Sequence, residues 1–119
     1  MKVVYIAHPV GAPTAEGIAA NLAAARAWLR FLIDACPDVA FCVSWLPYLD
    51  VLEDSGANRE RGLRDDCEMV RRCDAVLMVG PRVSDGMRRE AKSAYVVIDG
   101  TGTDREIVAS DVNAWAVLS

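Results

Sequence analysis

The chain contains a single histidine, His8, and its four cysteines form no Cys-x-x-Cys pair. Zinc and iron–sulfur sites are built from closely spaced Cys and His residues, so the sequence predicts no metal site. We also expect no cofactor. The thiols are best interpreted as reduced, small core residues. They are Cys36, Cys42, Cys67 and Cys73.

Long hydrophobic runs are also absent. The longest runs, Val39–Val43, Ala75–Gly80 and Tyr95–Ile98, fall far short of the ~20 residues that a membrane span needs. Met1–Val10 combines one lysine with strand length and an early proline, which does not favour a secretory signal. The formal net charge of −4 argues against a general affinity for nucleic acid or anionic membranes. We expect a cytoplasmic protein with neither of these partners.

Glycine-rich phosphate-binding motifs are missing as well. The segment His8–Pro13 (HPVGAP) is neither a G-x-G-x-x-G fingerprint nor a Walker A loop. A dinucleotide-binding or NTP-hydrolysing function therefore loses its main sequence support.

The 119 residues, of which 53% are hydrophobic and 25% charged, predict one globular domain spanning 1–119. Apolar periodicity and turn signals divide this domain into elements. We predict strand Lys2–Ala7, a helix capped by Thr14 and ending at Cys36-Pro37, strand Val39–Val43, a long loop Trp45–Asn58, helix Arg59–Cys73 and strand Asp74–Gly80.

Two periodicities compete after Gly86. Tyr95–Ile98 has strand propensity, but Met87, Ala91, Ala94 and Ile98 form one helical stripe. We favour a helix that ends at Asp99, with Gly100 at its C-terminal cap. Under this assignment Glu106–Ala109 is the fourth strand, and Asp111–Ser119 adds a short edge strand or helix turn.

Alternating strands and helices predict a three-layer α/β sandwich, Rossmann- or flavodoxin-like, with a four- to five-stranded parallel sheet. Ligands of such sheets bind beyond the carboxyl ends of the strands. The loops after Ala7, Val43 and Gly80 should therefore share one rim.

The segment Ser84–Glu90 carries the strongest functional signal. Ser84 is placed to cap a helix, Gly86 permits close backbone approach, and the free N–H groups of the first turn can bind an anion or hydroxyl. Glu90 points from the flank of the buried stripe toward the cleft. The alternative is that Glu90 is an ordinary acid in the first turn of the helix, favoured by the helix dipole.

Asp66 is a second candidate. Helical geometry places it at the edge of the buried face of its helix, whereas Asp65 points into solvent. A carboxylate on that edge is unfavourable unless it is paired or used, so a salt bridge to an arginine of the same helix is the alternative. Tyr5 could present its phenol to the cleft, or could simply pack in the core.

Three segments together carry a family resemblance: Tyr5-Ile-Ala-His-Pro9, the run from Asp66 to Asp74, and Ser84-x-Gly-x-x-x-Glu90 followed by Ala94. In this combination the chain resembles the nucleoside 2-deoxyribosyltransferase-like family, which includes deoxynucleoside 5′-monophosphate N-glycosidases. The resemblance extends over most of residues 1–110.

The resemblance implies a retaining mechanism on a small-molecule nucleoside or nucleotide. Glu90 would attack the anomeric carbon of a 2-deoxyribose, Asp66 would protonate the departing base, and Tyr5 would orient Glu90. Ser84, with the backbone of Gly86 and Met87, would hold the 5′ end of the sugar or its phosphate.

Two departures from the family pattern bear on this site. His8 stands where relatives usually have a small residue, so its side chain would narrow the floor of the pocket or change its charge. Pro9 and Gly11 replace polar residues with which phosphate-specific relatives recognise a 5′-phosphate, which argues against recognition of that phosphate. Arg88 and Arg89 adjoin Glu90, and a close guanidinium would lower the pKa of its carboxyl. This suits a nucleophile that is kept ionised, and an inert ion pair is the alternative.

We also expect a homodimer or larger closed assembly, from the three tryptophans and the apolar tail Ala114–Leu118. The resemblance adds that a partner's C-terminal segment completes the pocket, which makes Asn113 a candidate contributor. Two alternatives stay open. One is a non-catalytic nucleotide-binding or interaction domain on the same fold, and the weaker one is a flavin-binding or phosphoacceptor domain.

Overall fold

The structure is a computed structural model that describes residues 1–119. It contains four strands and five helices, and none of the helices is both long and apolar enough to cross a bilayer. In chain order the elements are β1 (Lys2–Ala7), α1 (Ala15–Ala35), β2 (Val39–Cys42), α2 (Trp45–Val51), α3 (Gly56–Arg72), β3 (Ala75–Met78), α4 (Asp85–Ser93), β4 (Val97–Asp99) and α5 (Arg105–Leu118).

The four strands form one parallel sheet in the order β2-β1-β3-β4. Helices α1 and α5 pack on one face, and α2, α3 and α4 cover the other. The strand order reverses at β1, so the crevice between the loops after β1 and β3 is where such folds bind ligands. The predicted three-layer Rossmann-like sandwich is confirmed.

Successive side chains of strand β1 alternate between two hydrophobic cores, one on each face of the sheet. Val4 and Ile6 point into the core shared with α1 and α5, whereas Tyr5 and Ala7 point into the core under α2, α3 and α4. This alternation is a property of strand geometry, and it directs the side chain of Tyr5 toward the layer that carries the predicted acids.

The helix predicted after Gly86 forms, but its extension to Asp99 was wrong. Helix α4 ends at Ser93, and the predicted helical stretch up to Asp99 includes strand β4 instead. Pairing with β3 decides the outcome: Val76 N donates to Val96 O at 2.9 Å, and Gly100 N donates to Met78 O at 2.8 Å. A neighbouring strand offers these long-range hydrogen bonds, which local periodicity does not reveal.

The C-terminal segment was also assigned incorrectly. Glu106–Ala109 is not a strand but the beginning of α5, which continues through most of the predicted tail. Its buried positions, Val108, Ala109 and Val112, follow helical spacing and complete the core beneath α1. The run of four residues was too short for alternation and helical spacing to be distinguished from sequence.

The loop predicted over Trp45–Asn58 contains helix α2 and the start of α3. Because β2 ends at Cys42, it leaves the Ile6 carbonyl without a strand partner, and Trp45 Nε1 donates to that oxygen at 2.8 Å. This hydrogen bond fixes α2 against the carboxyl end of β1.

Candidate functional site

Three polar side chains from three different elements meet in the core between the sheet and α3–α4. Tyr5 comes from β1, Asp66 from α3 and Glu90 from α4. They are 0%, 8% and 7% exposed, and the titration of each of the three is perturbed by at least one of the others. Buried carboxyls without a cation are uncommon, which makes this group the strongest candidate for a functional site.

Asp66 faces the core, as the helical geometry predicted. It makes no salt bridge, and its one hydrogen bond comes from Ser44 Oγ at 3.5 Å. The solvent-side Asp65 takes the ion pairs instead, from Arg61 at 2.8 Å and Arg64 at 3.1 Å. Burial raises the pKa of Asp66 to about 6, so this carboxyl titrates close to neutral pH.

Glu90 lies in the second turn of α4 and is buried. A favourable interaction with the helix dipole, which acts on exposed acids of the first turn, therefore does not explain why a glutamate occupies this position. Burial raises its pKa to about 7; Tyr5 opposes this rise, and the negative charge of Asp66 adds to it. The expected lowering by neighbouring arginines was wrong. Arg88 pairs with Asp85 at 2.9 Å and Arg89 with Glu60 at 3.0 Å.

The Tyr5 hydroxyl is buried and makes no hydrogen bond of standard geometry. Burial, together with the charges of Glu90 and Asp66, raises the pKa of Tyr5 far above its usual range. The phenol therefore keeps its proton and can act only as a neutral donor toward the carboxyls. An unpartnered buried donor beside two titratable acids is an arrangement suited to holding one of them in its ionised form.

The cap of α4 has the predicted geometry, but part of it is already engaged. Ser84 Oγ accepts from Met87 N at 3.2 Å, and Met87 Sδ accepts from Ser84 N at 3.4 Å. The amides of Asp85 and Gly86 come before Arg88 N, which is the first amide of α4 to donate to a helical carbonyl, Ser84 O at 3.0 Å, and they are the ones left for an anion or hydroxyl. A Cβ on Gly86 would meet only Ser84 Oγ, at 3.9 Å, so the fold itself does not require glycine there.

His8 lies in the crevice between the loops after β1 and β3. Its Nδ1 donates to Pro9 O at 2.7 Å, and Nε2 is buried without a partner. Burial lowers its pKa, so the ring is neutral. Gly80 has φ 103°, and a Cβ there would come within 3.0 Å of the imidazole, so this glycine lets the ring fill the gap.

Asn113 is not brought to this site within the chain. It lies on α5, and its Nδ2 donates to Ala35 O at 3.0 Å, at the C-terminal end of α1. That position is at the opposite end of the sheet from the rim. Within one chain Asn113 satisfies a helix-end carbonyl, a role that its sequence position did not suggest.

The buried trio is covered in this structure. A cavity of about 630 Å³ lies between α3 and α4, and another of about 300 Å³ lies beside Met1, Asp38 and Asp74, but neither is lined by Tyr5, Asp66 or Glu90. Helix α2 and its flank contact the region around Asp66 through Ser44 and through the 2.8 Å hydrogen bond from Tyr48 to Asp65. Sequence reasoning placed this segment at the rim but missed its helix and these contacts.

Comparison with known proteins gives one match. No curated protein and no solved structure matches the chain. A family model described as a domain of unknown function, DUF7768, matches residues 2–97, a range that holds the whole sheet except its last two residues and all three members of the buried trio. The chain therefore belongs to the DUF7768 family.

Proposed function

We propose that the protein cleaves or transfers the N-glycosidic bond of 2′-deoxynucleosides or their 5′-monophosphates. The observation that carries this proposal is the convergence of Tyr5, Asp66 and Glu90, two cation-free buried carboxyls and a phenol, in the layer beneath the rim. Two carboxyls with raised pKa values and no metal-type cluster suit chemistry that needs one nucleophile and one proton donor.

The reaction proceeds in two displacements. In the first, the Glu90 carboxylate bonds to C1′ of the deoxyribose while the C1′–N bond breaks, and protonated Asp66 donates its proton to the departing base. In the second, water attacks C1′, Asp66 accepts its proton, and the ester bond to Glu90 breaks. A second base in place of water gives transfer instead of hydrolysis.

The pKa order sets a condition on this chemistry. Because burial raises the pKa of Glu90 further than that of Asp66, a single shared proton resides mainly on Glu90. The reactive form has the reverse arrangement. A hydrogen bond from Tyr5 to ionised Glu90, together with positive charge developing at C1′ of bound substrate, would favour that form.

Substrate binding requires the cover to open. The segment from Ser44 to Tyr48 holds the region of Asp66 through side-chain hydrogen bonds, and Trp45 anchors it to Ile6. We propose that this segment moves when a nucleoside enters. The free amides of Asp85 and Gly86 then bind the 5′ end, and neutral His8 offers an acceptor to a sugar hydroxyl.

The burial of Tyr5, Asp66 and Glu90 also favours the second candidate, a non-catalytic binding domain, because a substrate reaches these groups only if the segment over them moves. Incubation with a panel of deoxynucleosides and 5′-monophosphates, with and without free adenine, followed by chromatography, separates the two. Release of free base, lost in Glu90→Gln and retained in the exposed control Glu106→Gln, supports catalysis. No release from any substrate favours the binding domain.

The covalent intermediate gives an independent test. A 2-fluoro-substituted deoxynucleoside analogue should add the mass of the sugar to the peptide containing Glu90, because fluorine slows breakdown of the glycosyl ester. Labelling at another residue, or turnover that persists in Glu90→Ala, would overturn the assignment of the nucleophile.

A further inference from the structure

The groove between α3 and α4 concentrates positive charge in a chain whose net charge is −4. Its cavity of about 630 Å³ is lined by five cationic side chains and a single acid, Glu60. The cations are Arg61, Arg64, Arg71, Arg89 and Lys92. This groove lies outside the buried trio, and nothing in the proposed glycosyl chemistry uses it.

The cations are only partly neutralised by their own neighbours, although Arg89 pairs with Glu60 at 3.0 Å. Arg61 and Arg64 share Asp65, and Arg71 shares Glu68 with Arg72. Lys92 makes no ion pair. The arginine side chains of these pairs are at least half exposed, so each pair contributes little to stability and its arginine can exchange partners readily. The groove therefore keeps an excess of cationic groups for an added anion.

The shape and lining of the groove favour a compact ligand. Arg61 and Arg71 are ten residues apart, which separates them by about 15 Å along α3. Small-molecule ligands occupy clefts of roughly 300–1,000 Å³, a range that includes the volume of this groove. Four of the five cations are arginines, whose planar guanidinium groups match phosphate oxygens in pairs.

Macromolecular ligands fit less well. The groove has no aromatic side chain on which bases could stack, and its hydrophobic lining consists of only two residues, Ala57 and Cys67. Peptides that bind in a groove usually insert apolar anchors, for which this surface has no pocket.

We propose that the α3–α4 groove is a binding site for a small molecule that carries two or more linked phosphate groups, such as inorganic polyphosphate or a nucleoside polyphosphate. Arg61, Arg64 and Arg71 contact the ligand from α3, and Arg89 and Lys92 contact it from α4. Binding in the groove does not require the buried carboxyls to be catalytic.

Tripolyphosphate is the probe, and isothermal titration calorimetry of the full chain in 50 mM salt measures its binding. We expect one saturable site, with a Kd raised at least tenfold by the double variant Arg71→Gln/Lys92→Gln. The matched control is Arg26→Gln/Arg30→Gln on exposed positions of α1, which removes the same charge on the other face of the sheet. Its Kd should stay within twofold of the wild-type value.

A variant that should bind tripolyphosphate more tightly excludes misfolding as the explanation for weaker binding in the double variant. Glu60→Gln removes the one acid of the lining and should tighten binding severalfold, which a damaged protein would not do. Parallel titration with ATP distinguishes the sources: equal affinity means that the phosphate chain alone is recognised, and tighter binding means that a nucleoside polyphosphate is preferred. Either result supports the site.

Several outcomes would overturn the proposal. These are absence of saturable binding, equal weakening by both double variants, and no tightening in Glu60→Gln. Tighter binding of a poly-glutamate peptide or a short DNA duplex than of tripolyphosphate would mean that the groove serves a macromolecule instead.

Discussion

Replacing Glu90 by glutamine should stabilise the protein above neutral pH. The pKa of Glu90 is about 7 in the folded chain against an ordinary value of 4.5, so folding favours its protonated form. Each pKa unit corresponds to about 1.4 kcal/mol, and the difference is therefore worth roughly 3 kcal/mol. At most 7% of the residue is exposed, so solvent screening reduces this figure little.

The sign of this effect follows from proton linkage. A raised folded-state pKa contributes stability that is complete below about pH 4.5 and is lost as the pH rises through 7. Glutamine does not ionise, so Glu90→Gln should escape this loss. At pH 8.5 we expect it to be more stable than wild type by roughly 2–3 kcal/mol, after an allowance for burying the amide donors. That is on the order of 10 °C in Tm for a chain of this size.

Thermal and urea unfolding of the two proteins at pH 4, 6 and 8.5 measures the effect. Below pH 4.5 their free energies of unfolding should differ by less than ~1 kcal/mol. Glu106→Gln, an exposed acid in the first turn of α5, is the control and should follow wild type at every pH. Identical pH dependence in wild type and Glu90→Gln would refute the burial of an ionisable carboxyl at this position.

Three further predictions concern the proposed reaction and assembly. The pH profile of kcat/KM for base release should be bell-shaped with its maximum between about 6 and 7, because the carboxyl pair must hold one proton. In Asp66→Asn only a rise of kcat/KM with pH should remain. Its midpoint should lie below 7, because burial still raises the pKa of Glu90 but the added effect of the Asp66 charge is gone. Asp66→Asn should slow release of poor leaving groups by ~10²–10⁴-fold and of activated bases much less, and equal losses for both classes would remove Asp66 as the proton donor. Light scattering at micromolar concentration should show a dimer that Val117→Asp/Leu118→Asp converts to a monomer, since these side chains are more than four-fifths exposed at the end of α5; a monomeric wild type would contradict it.

The positions of the buried acids could be predicted from sequence because they depend on short-range geometry. The 3.6-residue period places Asp66 and Asp65 on different faces of one helix, and strand alternation directs Tyr5 to a single layer. The environment of Glu90 was partly predictable on the same basis. Residues one and two positions away on a helix do not face each other, so Arg88 and Arg89 point elsewhere and cannot lower its pKa.

Features that depend on distant partners could not be predicted in this way. Strand β4 forms because β3 presents an open edge, and α2 is held by the Ile6 carbonyl, which no strand reaches. The tryptophans illustrate the same limit. Trp28 and Trp45 are buried within the chain, so they give no reason to expect a dimer. That expectation now rests on the exposed end of α5.

The energetic burden of the two buried acids is itself evidence about the site. At pH 8 the raised pKa of Glu90 alone reduces stability by roughly 3 kcal/mol, the ionisation of buried Asp66 adds to this loss, and a domain of this size has only about 5–15 kcal/mol in total. Leucine or methionine at these positions would fill the same core without that loss. Neither acid pairs with a cation, and the nearby Tyr5 hydroxyl makes no hydrogen bond of standard geometry. Packing therefore supplies no reason for these three polar groups to meet in the core, whereas a reaction that needs one ionised and one protonated carboxyl side by side does.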